Sequence, residues 1–434
     1  MIREILRRCR FAALLILAIL PMQRANAIIG ALDTVPASTL LIPYFEVDLD
    51  NASGRNTLVG VHNTSATAIL GHVTMWSNTG VPVYSFNIYF TGYDVVTFDM
   101  RTVINGTLPL TASAGQDPTD TISHKGSFSQ DINFASCGGQ FPYSTPVVAP
   151  FVADLKAMLT GKPSTLSFPN ACVGTNLGDN VARGYITIDT VNNCTLRKPN
   201  EVGYFVSGGG GDATNQNVLL GDYTLIDVSQ NVMNMENAVA IEASGIDPIS
   251  SVAGNYTFYG RHTNWTASDN REPLATNWMV QGETGNSSAV IWRDAKVTPA
   301  SFTCAAGKPS YAPLGQEGIT FFEPSGFATF IPSAPTALDP FPAQPIVAPI
   351  MTQNLAMNNA NMLLPSSKKF GQLALNLNTF VTPAGSNPAA DPTASQSFIT
   401  VLRNHKNLSR LSTGAIATPM DNASQPSHFS PGGF

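Results

Sequence analysis

Alternation with a period of two dominates the chain between Asn56 and Val103. Residues 58–63, 68–76 and 81–90 read as strands separated by turns at Thr64-Ser65 and Asn78-Thr79-Gly80. In the third strand Tyr84, Phe86, Ile88 and Phe90 share one face, and Ser85, Asn87 and Tyr89 share the other. Past Gly92, Val96, Phe98 and Met100 alternate with Thr97, Asp99 and Arg101. The segment is therefore expected to be an antiparallel meander with one apolar and one wet face. Such a sheet must lay its apolar side on a second layer, which predicts a β-sandwich.

The pattern breaks over 112–180, where polar residues give way to 149–160, with Val152, Leu155, Met158 and Leu159 at helical spacing before Gly161 and Pro163. Strand patterns return at 185–191, 219–228, 238–243, 289–293, 319–322, 327–331, 373–377 and 398–402. Repeated proline over 332–349 predicts an extended surface strap. The expected fold is mainly β: one or two antiparallel β-sandwiches with a short helical insertion and long loops. Its parts are a leader (1–27), a β-meander or sandwich part (28–111), a loop-rich insertion with one short helix (112–180), a second β-rich region (181–412) and a flexible tail (413–434).

The leader changes the picture most. Arg3, Arg7, Arg8 and Arg10 precede an unbroken apolar run over 11–20, and Ala25-Asn26-Ala27 has the small-x-small form of a signal-peptidase site. The run is about half of the roughly 20 residues that span a bilayer, so the expectation is a cleaved signal peptide and a mature chain starting near Ile28 with no membrane span. Localisation is expected to be periplasmic, cell-surface or extracellular. Loss of the leader removes five basic residues and one acidic residue, taking the formal charge from −6 to −10. An acidic chain without a Lys/Arg cluster is a poor partner for nucleic acid. Charged residues make up 12% of the sequence, against about 25% in an ordinary soluble domain, so the surface must be mostly neutral and polar.

Cys9 departs with the leader and leaves Cys137, Cys172, Cys194 and Cys304, an even number in a disulfide-permissive compartment. The favoured pairing is Cys137–Cys172, bracketing the insertion, with Cys194–Cys304 tying the halves of the later β region. The spacing does not suit zinc.

Catalytic and cofactor signatures are missing. The sequence has neither Gly-x-Ser-x-Gly nor His-Glu-x-x-His, no cofactor is implied, and Gly208–Gly211 lacks the Lys-Ser/Thr and helix of a phosphate loop. Asp48 to Gly54 opens like a calcium loop but carries Ala52 and Ser53 where that motif wants Asp or Asn and then Gly, so it reads as a polar turn and no metal is expected. His62 and His72, on neighbouring predicted strands, read as separately hydrogen-bonded side chains. The densest charge lies between Arg261 and Arg293. Trp265, Asp269, Arg271, Glu272, Trp278 and Arg293 there form the candidate ligand-binding set, since tryptophan faces beside Arg, Asp and Glu suit a sugar. The same residues also fit an internal ion-pair network. The functional expectation is an exported, non-enzymatic structural or adhesion-type protein of the bacterial envelope or surface, its partner another envelope protein. The alternative is a glycan-binding or glycan-processing protein using the Arg261–Arg293 region.

Overall fold

The computed structural model describes residues 35–109, 147–243, 257–264, 266–275, 277–283, 287–293, 298–307, 318–322, 325–326, 328–332, 350–354, 370–377, 396–403 and 417–419. The leader, Cys137, Trp265 and the proline strap beyond Pro332 lie outside them.

The chain runs through β1 (Thr39–Asp48), β2 (Arg55–Asn63), β3 (Ile69–Ser77), β4 (Pro82–Phe90) and β5 (Val95–Asp99), then helices α1 (Met100–Ile104) and α2 (Ala149–Leu159). Next come β6 (Val181–Val191), β7 (Leu219–Asp227), β8 (Val232–Asn237) and β9 (Val239–Ile241). These strands build a five-stranded sheet, β4-β3-β6-β1-β9, and a four-stranded sheet, β5-β2-β7-β8, antiparallel throughout. The remaining strands are β10 (Asn277–Glu283), β11 (Ser287–Arg293), β12 (Gly318–Phe322), β13 (Ala328–Pro332), β14 (Ile350–Asn354), β15 (Phe370–Asn376), β16 (Ser397–Arg403) and β17 (Ala417–Pro419). They form two further sheets, β13-β12-β15-β10-β17 and β14-β11-β16. The chain is thus mainly β with antiparallel sheets.

The first two sheets pack face to face. Leu40, Ile42, Val73, Met75, Ile186 and Ile188 of the larger one share a core with Val59, Val61, Phe98 and Leu225 of the smaller. Phe86 of β4 meets Phe98 of β5 edge to face, with centroids 6.1 Å apart, across the gap between the layers. Each such side chain stabilises the fold by about 1.5–3 kcal/mol when withdrawn from water. The same core continues into the later sheets through Trp278, Val290, Ile291, Leu373 and Ile399.

Strand β1 shows why this sandwich closes. It pairs with β6 on one side and β9 on the other, and its residues from Thr39 to Phe45 are buried, so it reads as a continuous apolar run with no alternation. Pro43 falls where the β1–β6 register shifts between Ile42 and Phe45, so its missing N–H leaves the ladder intact.

Two expectations for residues 56–103 are corrected. The β3–β4 hairpin forms through Asn78-Thr79-Gly80, but β2 and β3 are not partners: β2 lies between β5 and β7, and β3 between β4 and β6. The link between them crosses from one sheet to the other. Asn63 stiffens it, donating through Nδ2 to Thr67 O and Thr91 O while Oδ1 accepts the Ser65 N–H. Nor is the second face of β4 wet. Asn87 and Tyr89 are 1% and 0% exposed, with Tyr89 packed in a second cluster with Leu70, Val191, Tyr204 and Ala213. Strands from both sides of residue 181 share the first two sheets, since β6 is inserted between β3 and β1. The tail contributes β17, which pairs with β10.

Helix α2 matches its periodicity. Pro150 sits in the first turn, Leu155, Met158 and Leu159 are buried, and Gly161 ends the helix at φ 70°. A Cβ at Gly161 would lie 2.3 Å from the backbone of Thr175 and Asn176. Beyond it, Cys172 is disulfide-bonded to Cys304, 132 residues later. This corrects the pairing of Cys172 with Cys137 and of Cys194 with Cys304. The backbone bridge Cys172↔Phe302 brings the two strands of chain together and sets the Cα atoms 5.0 Å apart. Cys194 is also disulfide-bonded.

The segment after α2 is organised by one carboxylate. Asp154, 1% exposed, accepts from the N–H groups of Thr165 (2.6 Å), Leu166 (3.2 Å) and Ser167 (3.0 Å) and from the Ser164 hydroxyl (3.0 Å). Burial alone would raise its pKa, but the Ser167 and Thr165 amides outweigh that and hold it at about 2. A depressed folded-state pKa gives stability that is present at neutral pH and lost as pH falls from about 4 towards about 2. Asp154→Asn should therefore cost about 2 kcal/mol at neutral pH and close to nothing below about pH 2, read from urea unfolding across pH.

Candidate functional site

The densest chemistry lies in a polar row across the outward face of the five-stranded sheet. Strand pairing sets Thr39 of β1 opposite Asp189 of β6, Asp189 opposite His72 of β3, and His72 opposite Asn87 of β4. All four residues are 0–1% exposed. Alternation along each strand produces the row: Ile188 faces the sandwich core, so Asp189 must face outward.

Two segments cover it. From residues 192–215 come Tyr204, Phe205, Asp212, Thr214 and Asn215; from residues 257–271 come Tyr259, Asp269 and Arg271. Asp189 is the hub. Its Oδ1 accepts from the Thr39 hydroxyl, and its Oδ2 accepts from Tyr204 OH (2.8 Å) and Tyr259 OH (3.1 Å). Arg271 Nη2 lies 3.9 Å from Oδ1. The guanidinium spends its remaining donors nearby: Nε on Thr39 Oγ1 (3.0 Å), Nη1 on Asp269 O (2.7 Å) and Asn215 Oδ1 (3.3 Å), Nη2 on Thr214 O (2.8 Å). Its plane sits 5.1 Å from the Phe205 ring centroid.

The electrostatics follow from enclosure. Burial first, and the Asp189 charge second, push the Tyr204 and Tyr259 hydroxyls far above the ordinary tyrosine value, so both remain donors. Burial also raises Asp269, against the Thr257 hydroxyl (2.7 Å) and the Tyr259 N–H (2.9 Å) that favour its ionised form. Burial lowers His72, whose Nδ1 is 2.9 Å from Asn87 Oδ1. Tyr204 is tilted over the imidazole at 5.5 Å. The other end of the row continues through Asn87 to Thr195 O, the Thr195 hydroxyl to Asp212, and Arg197 to Asp212 at 3.0 Å.

The residues expected to take a sugar are placed very differently. Asp269 and Arg271 belong to this closed network. Trp278 is 0% exposed on β10, opposite Leu375 of β15, donating Nε1–H to Ser397 Oγ at 2.9 Å. Arg293 is 0% exposed and donates Nη2–H to Leu377 O at 2.6 Å. Glu272 is half-buried, its N–H bonded to Glu242 O. Asp269 and Arg271 are therefore taken up by the polar row, while Trp278 and Arg293 are buried within the later sheets, and no open face of Trp278 is available for stacking. Trp265 lies outside the described residues.

The other candidates also resolve. His62 and His72 sit in different sheets: His72 is in the row, and His62 is partly exposed, 3.5 Å from Asp222. Asp48 Oδ1 accepts from the N–H groups of Asp50 and Asn51, forming a polar turn. Among the described residues no group of three His, Cys, Asp or Glu is placed to hold a metal ion.

Sequence reasoning passed over Asp189, Thr39, Tyr204 and Tyr259. The available signal was Asp189 itself, a lone carboxylate inside the strand pattern Tyr185 to Val191. Chemically the arrangement clamps: it fastens two loops to a sheet face through one carboxylate and one guanidinium, and its donors are turned inward.

Asp189→Ala leaves the Arg271 charge buried without its carboxylate, so unfolding stability should fall by about 3–5 kcal/mol in urea titrations of the oxidised protein. Asp222→Ala, which removes an exposed partner of His62, should change it by no more than about 0.5 kcal/mol.

No protein-family model, curated protein or solved structure matches the chain.

Proposed function

We propose that this chain is an exported, non-enzymatic structural or adhesion-type protein of the cell envelope or surface, which meets another envelope component through a neutral polar exterior. The observation that carries the reading is the closed polar row. Buried charges and hydroxyls, among them Asp189, Arg271, Asp269 and Tyr204, are spent on holding loops to a sheet. With charged residues at 12% of the sequence, surface shape and uncharged polar groups are the main means of interaction in this reading.

Export rests on the leader pattern at 1–27 and agrees with the Cys172–Cys304 bond, which needs an oxidising compartment to persist. Among the described residues no helix is long and apolar enough to cross a membrane. The glycan alternative has lost Trp278 as a stacking platform and Asp269 and Arg271 as free hydrogen-bonding groups, so the structural reading is preferred.

The test is fractionation of cells producing the full chain, with mass spectrometry of its N-terminus and thiols. The expected product starts near Ile28, lies outside the cytoplasm and carries an oxidised Cys172–Cys304 pair, whereas deletion of residues 1–27 traps it inside with free thiols. A cytoplasmic product with an intact leader overturns the proposal. The mature chain should stay silent on a glycan array; binding that disappears in Trp265→Ala would replace the adhesive reading with the glycan one.

A further inference from the structure

Two β units, the first pair of sheets and the later pair, meet at a polar contact unlike the row described above, because among the described residues no cation takes part in it. Glu236 of β8 is half-buried where the four-stranded sheet abuts the sheet β14-β11-β16. Its Oε2 lies 3.0 Å from Tyr223 OH on β7 and 2.9 Å from Thr400 Oγ1 on β16, and those two hydroxyls are 3.2 Å from each other. Tyr223 is 1% exposed and Thr400 2%. Three oxygens therefore form a closed triangle, with a member from each of three strands.

Proton counting decides what this triangle requires. Each side of it is a hydrogen bond and needs one proton, so three sides need three. With Glu236 ionised, only the Tyr223 and Thr400 hydroxyls supply protons. Both go to the carboxylate, and the Tyr223–Thr400 side is left with facing lone pairs. With Glu236 protonated, Oε2–H donates to one hydroxyl, that hydroxyl donates to the other, and the second donates back to Oε2. Every side is then satisfied and no charge is buried.

We propose that Glu236 is a proton-operated latch between the two β units, closing the seam when it carries a proton and loosening it when ionised. Among the described residues, the charged groups of the neighbouring strands are held elsewhere. On β7, Asp222 is on the opposite face of the sheet, 3.5 Å from His62, and Asp227 is turned into the β7–β8 turn, accepting from Ser229 Oγ at 2.6 Å. On β2, Arg55 is engaged by Glu46 at 2.9 Å. On β16 the charged residue is Arg403, the last of the strand and three positions past Thr400. Burial raises the Glu236 pKa above the ordinary glutamate value, against the Thr400 and Tyr223 hydroxyls, which lower it. For an acid with a raised folded-state pKa, stability is fully present below the unfolded value and declines as pH rises through the folded one. This is opposite in sign to Asp154, so the two effects separate on one pH axis.

The experiment compares the oxidised mature protein with Glu236→Gln by thermal unfolding and amide hydrogen exchange from about pH 4.5 to about pH 8. Glu236→Gln keeps a neutral side chain at every pH, so its Tm should match the parent at the acid end and exceed it by about 2–4 °C at the alkaline end. Exchange protection of β8 and β16 in the parent, corrected for intrinsic rates, should be about tenfold higher at the acid end. A Tm gap that does not change with pH, or equal parent protection at both ends, overturns the latch. The parent exchange measurement decides the matter even if Glu236→Gln does not fold, and Thr400→Val, which removes one side of the triangle, should shrink the parent pH effect.

Discussion

A single carboxylate on the wrong side of a sheet governs the architecture. Asp189 must face away from the sandwich core because its neighbours Ile186 and Ile188 face into it, and an ionised side chain on that outward face would ordinarily see water. Here the face is covered, so the charge has to be met by the groups that cover it. Two tyrosine hydroxyls, a threonine and one arginine converge from segments lying between Thr39 and Arg271. The penalty for leaving a charge unpaired in low dielectric is several kcal/mol, which makes the positions of the two covering loops nearly as constrained as those of strands. The larger sheet consequently has two dry faces, one aliphatic and one polar, in a protein otherwise poor in charge.

The two faces are held together by different physics. The aliphatic side tolerates rearrangement, since burial depends on area and volume more than direction. The polar side does not, because each donor has one acceptor at a fixed distance and angle. Aromatic side chains bridge the two regimes. Trp76 stacks on Tyr185 at 5.3 Å and also donates Nε1–H to Thr187, while Tyr185 meets Trp292 of the later sheets edge to face at 5.8 Å. Gly184 lets this happen: a Cβ there would sit 1.9 Å from the Trp76 carbonyl oxygen and 2.9 Å from Phe45. The close approach of β3 and β6 at that point depends on the missing side chain.

Legibility in the sequence followed the chemical contrast between the two faces of an element. Strands β4 and β5 and helix α2 were readable because each has one face in the aliphatic core and a contrasting second face, so the period was visible. β1 and β10 were not, because residues such as Leu40, Leu41 and Trp278 are buried on both sides and no alternation survives. Pairing was readable only for the local β3–β4 hairpin; the choice of β6 as the neighbour of both β1 and β3 depends on residues more than a hundred positions apart. The same distance hid the polar row. Thr39, His72, Asn87 and Asp189 are ordinary in their own strands and become a site only in register, whereas Trp278 and Arg293, conspicuous in sequence, serve to fill and fasten a core.

The order of strands bears on how this chain can be made. Neither of the first two sheets can be completed from the residues before α2: β1 and β3 are joined only by β6, and β2 lacks its inner neighbour until β7 arrives. The bond from Cys172 cannot form until Cys304 is present. A ribosome or translocon delivering the N-terminal strands first therefore presents them as unpaired edges for well over a hundred residues of synthesis, the state most open to wrong partnering. Passage through a membrane as an unfolded thread, followed by collapse once the later strands have emerged, is a route that this topology accommodates naturally.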